Sequence, residues 1–164
     1  MTLIRNGESG LSLDPPELLS GSIGQDGIHR KLIRVYFEDT DFSGAVYHAN
    51  YVKFCERART DCLRLMGIHH HALHEGEGGG LVFVVRRMEC DFLKPARIDD
   101  LLVVRTVCFE TSGARMLLGQ SIFREQTMLF EARVTVALIG GDGRPRRFPT
   151  ALVSAFKALQ TQRE

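Results

Sequence analysis

Four strand-like runs follow one another with no helix-forming stretch between them: Leu81–Leu93, Leu101–Thr111, Arg115–Arg124 and Leu129–Ile139. Short turn-forming pieces separate them at Ile98-Asp99-Asp100, Ser112-Gly113-Ala114 and Glu125-Gln126-Thr127, and the last run ends at Gly140-Gly141-Asp142-Gly143. A parallel crossover needs a dozen or more residues, so these runs are expected to lie antiparallel, as a four-stranded meander. Ahead of them, apolar residues recur at Tyr51, Phe54/Cys55, Ala58, Cys62 and Leu65/Met66, the 3.6-residue period of an amphipathic helix that stops before Gly67. Before the helix, Lys31–Phe37 alternates, with Ile33, Val35 and Phe37 on one face, and reads as a strand. Strand, long helix, then strands predicts an α+β fold in which one antiparallel sheet wraps the apolar stripe of a single long helix. One layer of each leaves outer faces and edges uncovered, so self-association is expected.

At 164 residues the chain is long enough for one domain with an ordinary core. Residues 1–28, rich in Gly, Ser, Pro and Asp, read as a flexible N-terminal extension, and residues 29–164 as the domain. A net charge of +1 argues against nucleic acid as a partner. No stretch approaches the ~18 apolar residues of a membrane span, and Met1–Gly10 lacks the apolar core of a signal peptide. No stable membrane insertion and a cytoplasmic location are therefore expected. The cysteines, Cys55, Cys62, Cys90 and Cys108, have no metal-finger spacing and sit in apolar stretches, as buried free thiols do. His70 and His74 stand at i,i+4, but the glycines flanking them argue against a rigid site. Neither a metal nor a cofactor is expected, and Ile68–Gly80 reads as an exposed loop or lid.

G-x-S-x-G, H-E-x-x-H and phosphate-loop glycine patterns are all missing. What remains is Glu38-Asp39-Thr40-Asp41-Phe42-Ser43-Gly44-Ala45-Val46-Tyr47-His48-Ala49-Asn50-Tyr51, which joins the first strand to the helix. A carboxylate held at a helix start can act on a carbonyl that the free N–H groups of the helix polarise. On the residues alone, Asp39, Thr40 and Asp41 read equally well as turn and capping residues, and His48 as an ordinary cap-region histidine. Gly44 marks a sharp bend or a close approach.

This segment, with Phe54-Cys55-Glu56-Arg57-Ala58-Arg59 after it, resembles the 4-hydroxybenzoyl-CoA thioesterase type of hotdog protein. Within that type it most resembles the Tol–Pal-associated acyl-CoA thioesterases of Gram-negative bacteria. The likeness continues in order through Phe83-Val84-Val85-Arg86-Arg87-Met88, Lys94-Pro95-Ala96-Arg97-Ile98-Asp99-Asp100 and Pro145-Arg146-Arg147-Phe148-Pro149. It spans about residues 31–157 and leaves the N-terminal extension unexplained.

The resemblance implies a hotdog fold and a homodimer or homotetramer with active sites at the subunit interface. It also implies hydrolysis of an acyl-CoA thioester to free acid and CoA. Asp41 stands at the position of the family's catalytic carboxylate, as nucleophile or general base, and His48 at that of the oxyanion-binding backbone N–H. Gly44, Val46, Tyr47 and Tyr51 would line the substrate pocket. Glu56 reads either as a surface i,i+3 partner of Arg59 or as a second carboxylate of the site. Lys94, Arg97, Arg144, Arg146 and Arg147 are candidates for the CoA phosphates, which the forked donors of Arg suit well. Acyl carrier protein is an alternative carrier. Two rival readings keep the fold: a non-catalytic acyl-CoA or acyl-carrier-protein binder in an envelope-associated complex, and an acyl-thioester dehydratase or hydratase.

Overall fold

The computed structural model describes residues 19–76 and 80–157. Six strands, β1 (Ser22–Ile23), β2 (His29–Arg34), β3 (Val82–Phe92), β4 (Leu101–Ser112), β5 (Arg115–Arg124) and β6 (Thr127–Ile139), form one antiparallel sheet in the order β1-β2-β4-β5-β6-β3. Helix α1 (His48–Leu65) lies on one face of it, against β2, β4 and β5. This is the hotdog arrangement: Tyr51, Phe54, Cys55, Ala58 and Cys62 of α1 are buried against Leu102, Val104, Leu118, Ile122 and Val134 of the strands. The helix ends as its sequence predicts. Gly67 takes a left-handed φ of +75°, open to glycine at little cost, and lets the Ile68 N–H reach back to the Leu63 carbonyl at 2.9 Å. Further short helices are α2 (His70–Glu75) and α3 (Thr150–Lys157), the latter burying Leu152 and Phe156.

Several expectations are corrected. The meander holds only for β4-β5-β6. Strand β3 pairs with β6, from Val82↔Ile139 to Phe92↔Phe130, and occupies the far edge. The connection 93–100 does not turn back; it crosses the end of the sheet, pinned by fully buried Ala96. The alternation of the first strand stops at buried Val35, and Phe37, 82% exposed, opens a 3-10 turn over Phe37–Asp39. Residues 19–28 are part of the domain rather than an extension. β1 pairs with β2, and buried His29 donates from Nε2 to the Ser20 carbonyl at 2.7 Å. Residues 1–18, residues 77–79 of the Ile68–Gly80 segment and residues 158–164 lie outside the described residues. Asp61 of α1 is buried and paired with Lys31 (2.6 Å) and Arg64 (2.9 Å). His70–Glu75, expected as loop, is helical, and His70 sits edge-on to Phe83 with ring centroids 5.8 Å apart.

Candidate active site

The loop between β2 and α1 is built from its own short-range hydrogen bonds. The Gly44 N–H donates to the Asp41 carbonyl and the Asp41 N–H to the Ala45 carbonyl, both at 2.9 Å, closing a tight turn in which Gly44 has φ +75°. Asp41 Oδ1 accepts from the Ser43 N–H (2.8 Å) and the Ser43 hydroxyl (2.5 Å). These donors hold its carboxyl below the ordinary carboxylate range, and the nearby His48 imidazole adds to the effect. Asp41 is thus an ionised, exposed carboxylate fixed at the mouth of the turn.

Asp39, buried under the same turn, anchors it. Its carboxylate accepts the Tyr36 N–H at 2.9 Å, and its carbonyl accepts both the Tyr47 N–H and the Asn50 side-chain amide at 2.9 Å. The other wall is the 93–100 connection. The Val46 N–H donates to the Ala96 carbonyl at 2.8 Å, Ala45 bridges to Arg97, and the Ala96 N–H donates to Tyr51 Oη at 2.9 Å. Tyr51 in turn stacks on Phe130 and meets Phe92 edge-on. Val46 and Tyr51, expected to line the pocket, therefore lie in the packing beneath the loop, 5% and 3% exposed. Tyr47 and His48 remain on its surface.

Helix α1 begins at His48, with Tyr47 as N-cap in extended conformation, no side-chain cap and no acidic residue in the first turn. Among the described residues, no protein acceptor meets the N–H of His48 or Ala49. The positive end of an 18-residue helix is thus left open beside Asp41. Uncapped donors at a helix start and an ionised carboxylate are the two elements that acyl transfer from a thioester requires.

The other candidates are only partly gathered here. Lys94 and Arg97 lie on the connection beside the loop, and a Cβ on Gly44 would sit 3.8 Å from Arg97 Nη1. Arg144, Arg146 and Arg147 follow β6, at the opposite end of the β3–β6 pair, and Arg146 is ion-paired to Asp142 at 2.8 Å. Glu56 lines a separate cavity between α1 and β3. It does pair with Arg59 at i,i+3, but Arg59 is buried rather than at the surface.

Sequence reasoning passed over Asn50 and Ala96, which carry no chemistry of their own but fix the loop together with Asp39, the turn and capping residue of the sequence reading. It also passed over Thr106 and Gln120, and took Arg59 only as a surface partner of Glu56; the signal in each was a polar residue at a position where the apolar period calls for a hydrophobic one.

The model of the thioesterase superfamily matches residues 43–131, from the Ser43–Tyr47 end of the loop, just after Asp41, through α1 and strands β3 to β5. The acyl-CoA thioesterase YbgC of Haemophilus influenzae is 42% identical over 129 residues, covering 78% of this chain and 93% of that protein. The YbgC of Helicobacter pylori is 36% identical over 132 residues, 77% of this chain and 95% of its own. Among solved structures, a probable thioesterase from Bartonella henselae superposes with a TM-score of 0.72 at 47% identity, covering 74% of this chain and 99% of that one. Each of these relatives is matched over nearly its whole length, and the chain belongs to the thioesterase superfamily.

Proposed function

We propose that this protein hydrolyses acyl-CoA thioesters to free acid and CoA, with Asp41 in the chemical step and the His48 amide as oxyanion donor. The observation that carries this reading is the ionised Asp41 carboxylate, fixed by Ser43, beside the uncapped N–H groups of α1. As nucleophile, Asp41 attacks the thioester carbonyl, the C–S bond breaks to release the CoA thiolate, and water opens the resulting mixed anhydride to free acid and carboxylate. As general base, Asp41 takes a proton from the attacking water, and the tetrahedral intermediate collapses to free acid with the CoA thiolate leaving. Both roles need the ionised form that its hydrogen bonds favour. The negative charge arriving on the thioester oxygen meets a preorganised donor, a contribution of about 3–4 kcal/mol where such donors have been removed singly.

The same proposal includes a homodimer joined through β3. This edge strand is 11 residues long and leaves Val82, Val85 and Phe92 at least a third exposed, which suits pairing with another strand. The β3–β6 register puts Phe92, beside His48 and Tyr51, about 30 Å from Val82 at roughly 3.3 Å per residue. Antiparallel pairing of two β3 strands about a two-fold axis would bring the partner's Val82 end, with its Arg144, Arg146 and Arg147, toward Asp41. One CoA could then meet Lys94 and Arg97 of one protomer and the second basic group of the other.

A tetramer of two such dimers, the cytoplasmic location and membership of the Tol–Pal-associated branch belong to the same reading. The buried thiols of Cys55 and Cys62, pushed up to about 12 by desolvation, suit a reducing compartment. CoA is the proposed carrier, and acyl carrier protein the alternative to compare with it.

The test is the isosteric Asp41→Asn variant on a panel of acyl-CoAs, with thiol release followed spectroscopically. Loss of about 10³-fold or more in kcat with the fold intact is expected for a residue in the chemical step. Activity within a few-fold of the parent would remove Asp41 from it.

A further inference from the structure

A cavity of about 70 Å3 lies between the C-terminal half of α1 and the first half of β3. Most of its wall is apolar: Leu63, Met66, Phe83, Met116 and Phe156. One side is not, for Glu56, Arg59 and Thr106 also line it. Arg59 is only 8% exposed, a charged group where the helix stripe otherwise carries Cys55, Ala58 and Cys62. Its Nη1–H donates to Gln120 Oε1 at 2.6 Å, and its Nη2–H donates to the Glu56 carboxylate. Gln120 completes the chain by donating from Nε2 to the Cys55 carbonyl (2.9 Å) and to Thr106 Oγ1 (3.0 Å).

Arg59 is buried but the Glu56 side chain is exposed, and an ion pair open to water on one side contributes little, so its presence is weak evidence for a role in stability. Its position on the wall of an apolar cavity suggests that it acts on what enters. A guanidinium in an apolar wall is a strong partner for a carboxylate, because its forked donors match the two oxygens in a poorly hydrated place. Left alone, Arg59 would draw in an acyl group ending in a carboxylate. Glu56 occupies it instead, the pair is neutral, and the Glu56 oxygens face any arriving anion with like charge.

We propose that this cavity receives the acyl chain, and that Glu56, by occupying the Arg59 guanidinium, makes it select uncharged acyl groups over those ending in a carboxylate. The proposal rests on the thioesterase reading above. In one chain, Phe83–Val85 at the cavity and Phe92 at the Asp41 loop are at opposite ends of β3, so the cavity serves the Asp41 of the β3-paired copy.

Butyryl-CoA and succinyl-CoA test it, since their acyl chains have equal carbon number and differ by a methyl against a carboxylate. With the uncatalysed rate subtracted, the full chain should prefer butyryl-CoA by about tenfold in kcat/KM, because the succinyl carboxylate must shed water without gaining the guanidinium, and the half-exposed Glu56 repels it only weakly. Glu56→Gln should move that ratio toward succinyl-CoA by at least about tenfold, the scale of one unmasked charge-assisted contact. The double variant Glu56→Gln with Arg59→Met should lose the gain. The Glu56 side chain is 57% exposed, so the single variant can be read without concern for the core. Equal use of the two substrates by the parent, or a ratio in Glu56→Gln within about threefold of the parent's, overturns the selectivity and leaves the hydrolase reading standing. No turnover of any acyl-CoA by the parent overturns both.

Discussion

Replacing Tyr51 by Phe takes a single oxygen from beneath the Asp41 loop, and the structure allows the consequence to be worked out. The ring is 3% exposed, stacked on Phe130 with centroids 5.4 Å apart and edge-on to Phe92 at 5.7 Å. Phe keeps all of these contacts, so the substitution leaves little new cavity. What it removes is the acceptor for the Ala96 N–H, 2.9 Å from Tyr51 Oη, in a residue with no exposed surface. A buried amide stripped of its partner costs about 1–3 kcal/mol, more than the net worth of the bond itself. At the centre of that range, about 2 kcal/mol, a domain of this size should lose about 4–8 °C in Tm.

The functional effect follows from the other side of the same peptide unit. The Ala96 carbonyl accepts the Val46 N–H at 2.8 Å, and Ala45 is bridged to Arg97, so any relaxation of 95–97 moves the turn that carries Asp41. Misplacing a catalytic group by about 1 Å can cost 10²-fold. A fall of about tenfold or more in kcat, with a smaller change in KM, is therefore expected for a partial shift. Urea unfolding at 25 °C and steady-state butyryl-CoA hydrolysis measure the two effects on one preparation. Stability within about 0.5 kcal/mol of the parent, the ordinary range of a surface change, together with kcat within twofold, would refute the view that Tyr51 and Ala96 hold the loop.

Two further outcomes are expected. His29 has no exposed surface, its Nδ1 meets no partner, and burial holds its pKa below the usual 6.5, an effect that Lys31 reinforces and Asp61 and the Ser20 carbonyl oppose. The unfolded chain then binds a proton that the folded chain refuses, so this contribution to stability is complete above about pH 6.5 and declines as the pH falls below it. The urea midpoint should drop between pH 7.5 and 5.5, and His29→Gln, which keeps a donor for Ser20 but does not titrate, should flatten that drop; an unchanged slope would count against it. On the β3 edge, Val85→Asp places like charges on both strands of the proposed pair, which costs several kcal/mol and should weaken the dimer by at least about 10²-fold. Light scattering at micromolar protein should then show a monomer with little hydrolase activity, whereas a fully active monomer would break the link between the interface and the site.

The long helix was legible because a single local period specifies it: Tyr51, Phe54, Cys55, Ala58 and Cys62 share one face, and Gly67 supplies the left-handed stop. Strand order was not legible, because it turns on where eight residues go. The connection 93–100 is short enough to suggest a hairpin, yet it crosses the sheet end, and what holds it there is tertiary: Ala96 between the Tyr51 hydroxyl and the Val46 amide. Asp41 shows the same limit at the site. Its local pattern is that of a turn residue, and the structure does use it as one, through Ser43 and Gly44. Only its place beside the open start of α1 separates the proposed catalytic role from that of a cap, and that placement depends on the tertiary ties at Asp39 and Ala96.

Arg59, Thr106 and Gln120 show what a sequence reading can still extract. Each breaks an apolar pattern on its own element: the stripe of α1, the inward alternation Leu102-Val104-Thr106-Cys108, and Met116-Leu118-Gln120-Ile122. Taken singly, each exception resembles noise in a period. The β4–β5 register, however, sets Thr106 directly opposite Gln120, and α1 lies across that point with Arg59 facing it. Burying polar groups is costly unless they satisfy one another. Three exceptions at inward positions on elements bound to share one core layer are therefore better explained by a single buried network than by three independent accidents. Such a network on a cavity wall, rather than sealed in the core, is where selection among ligands can act.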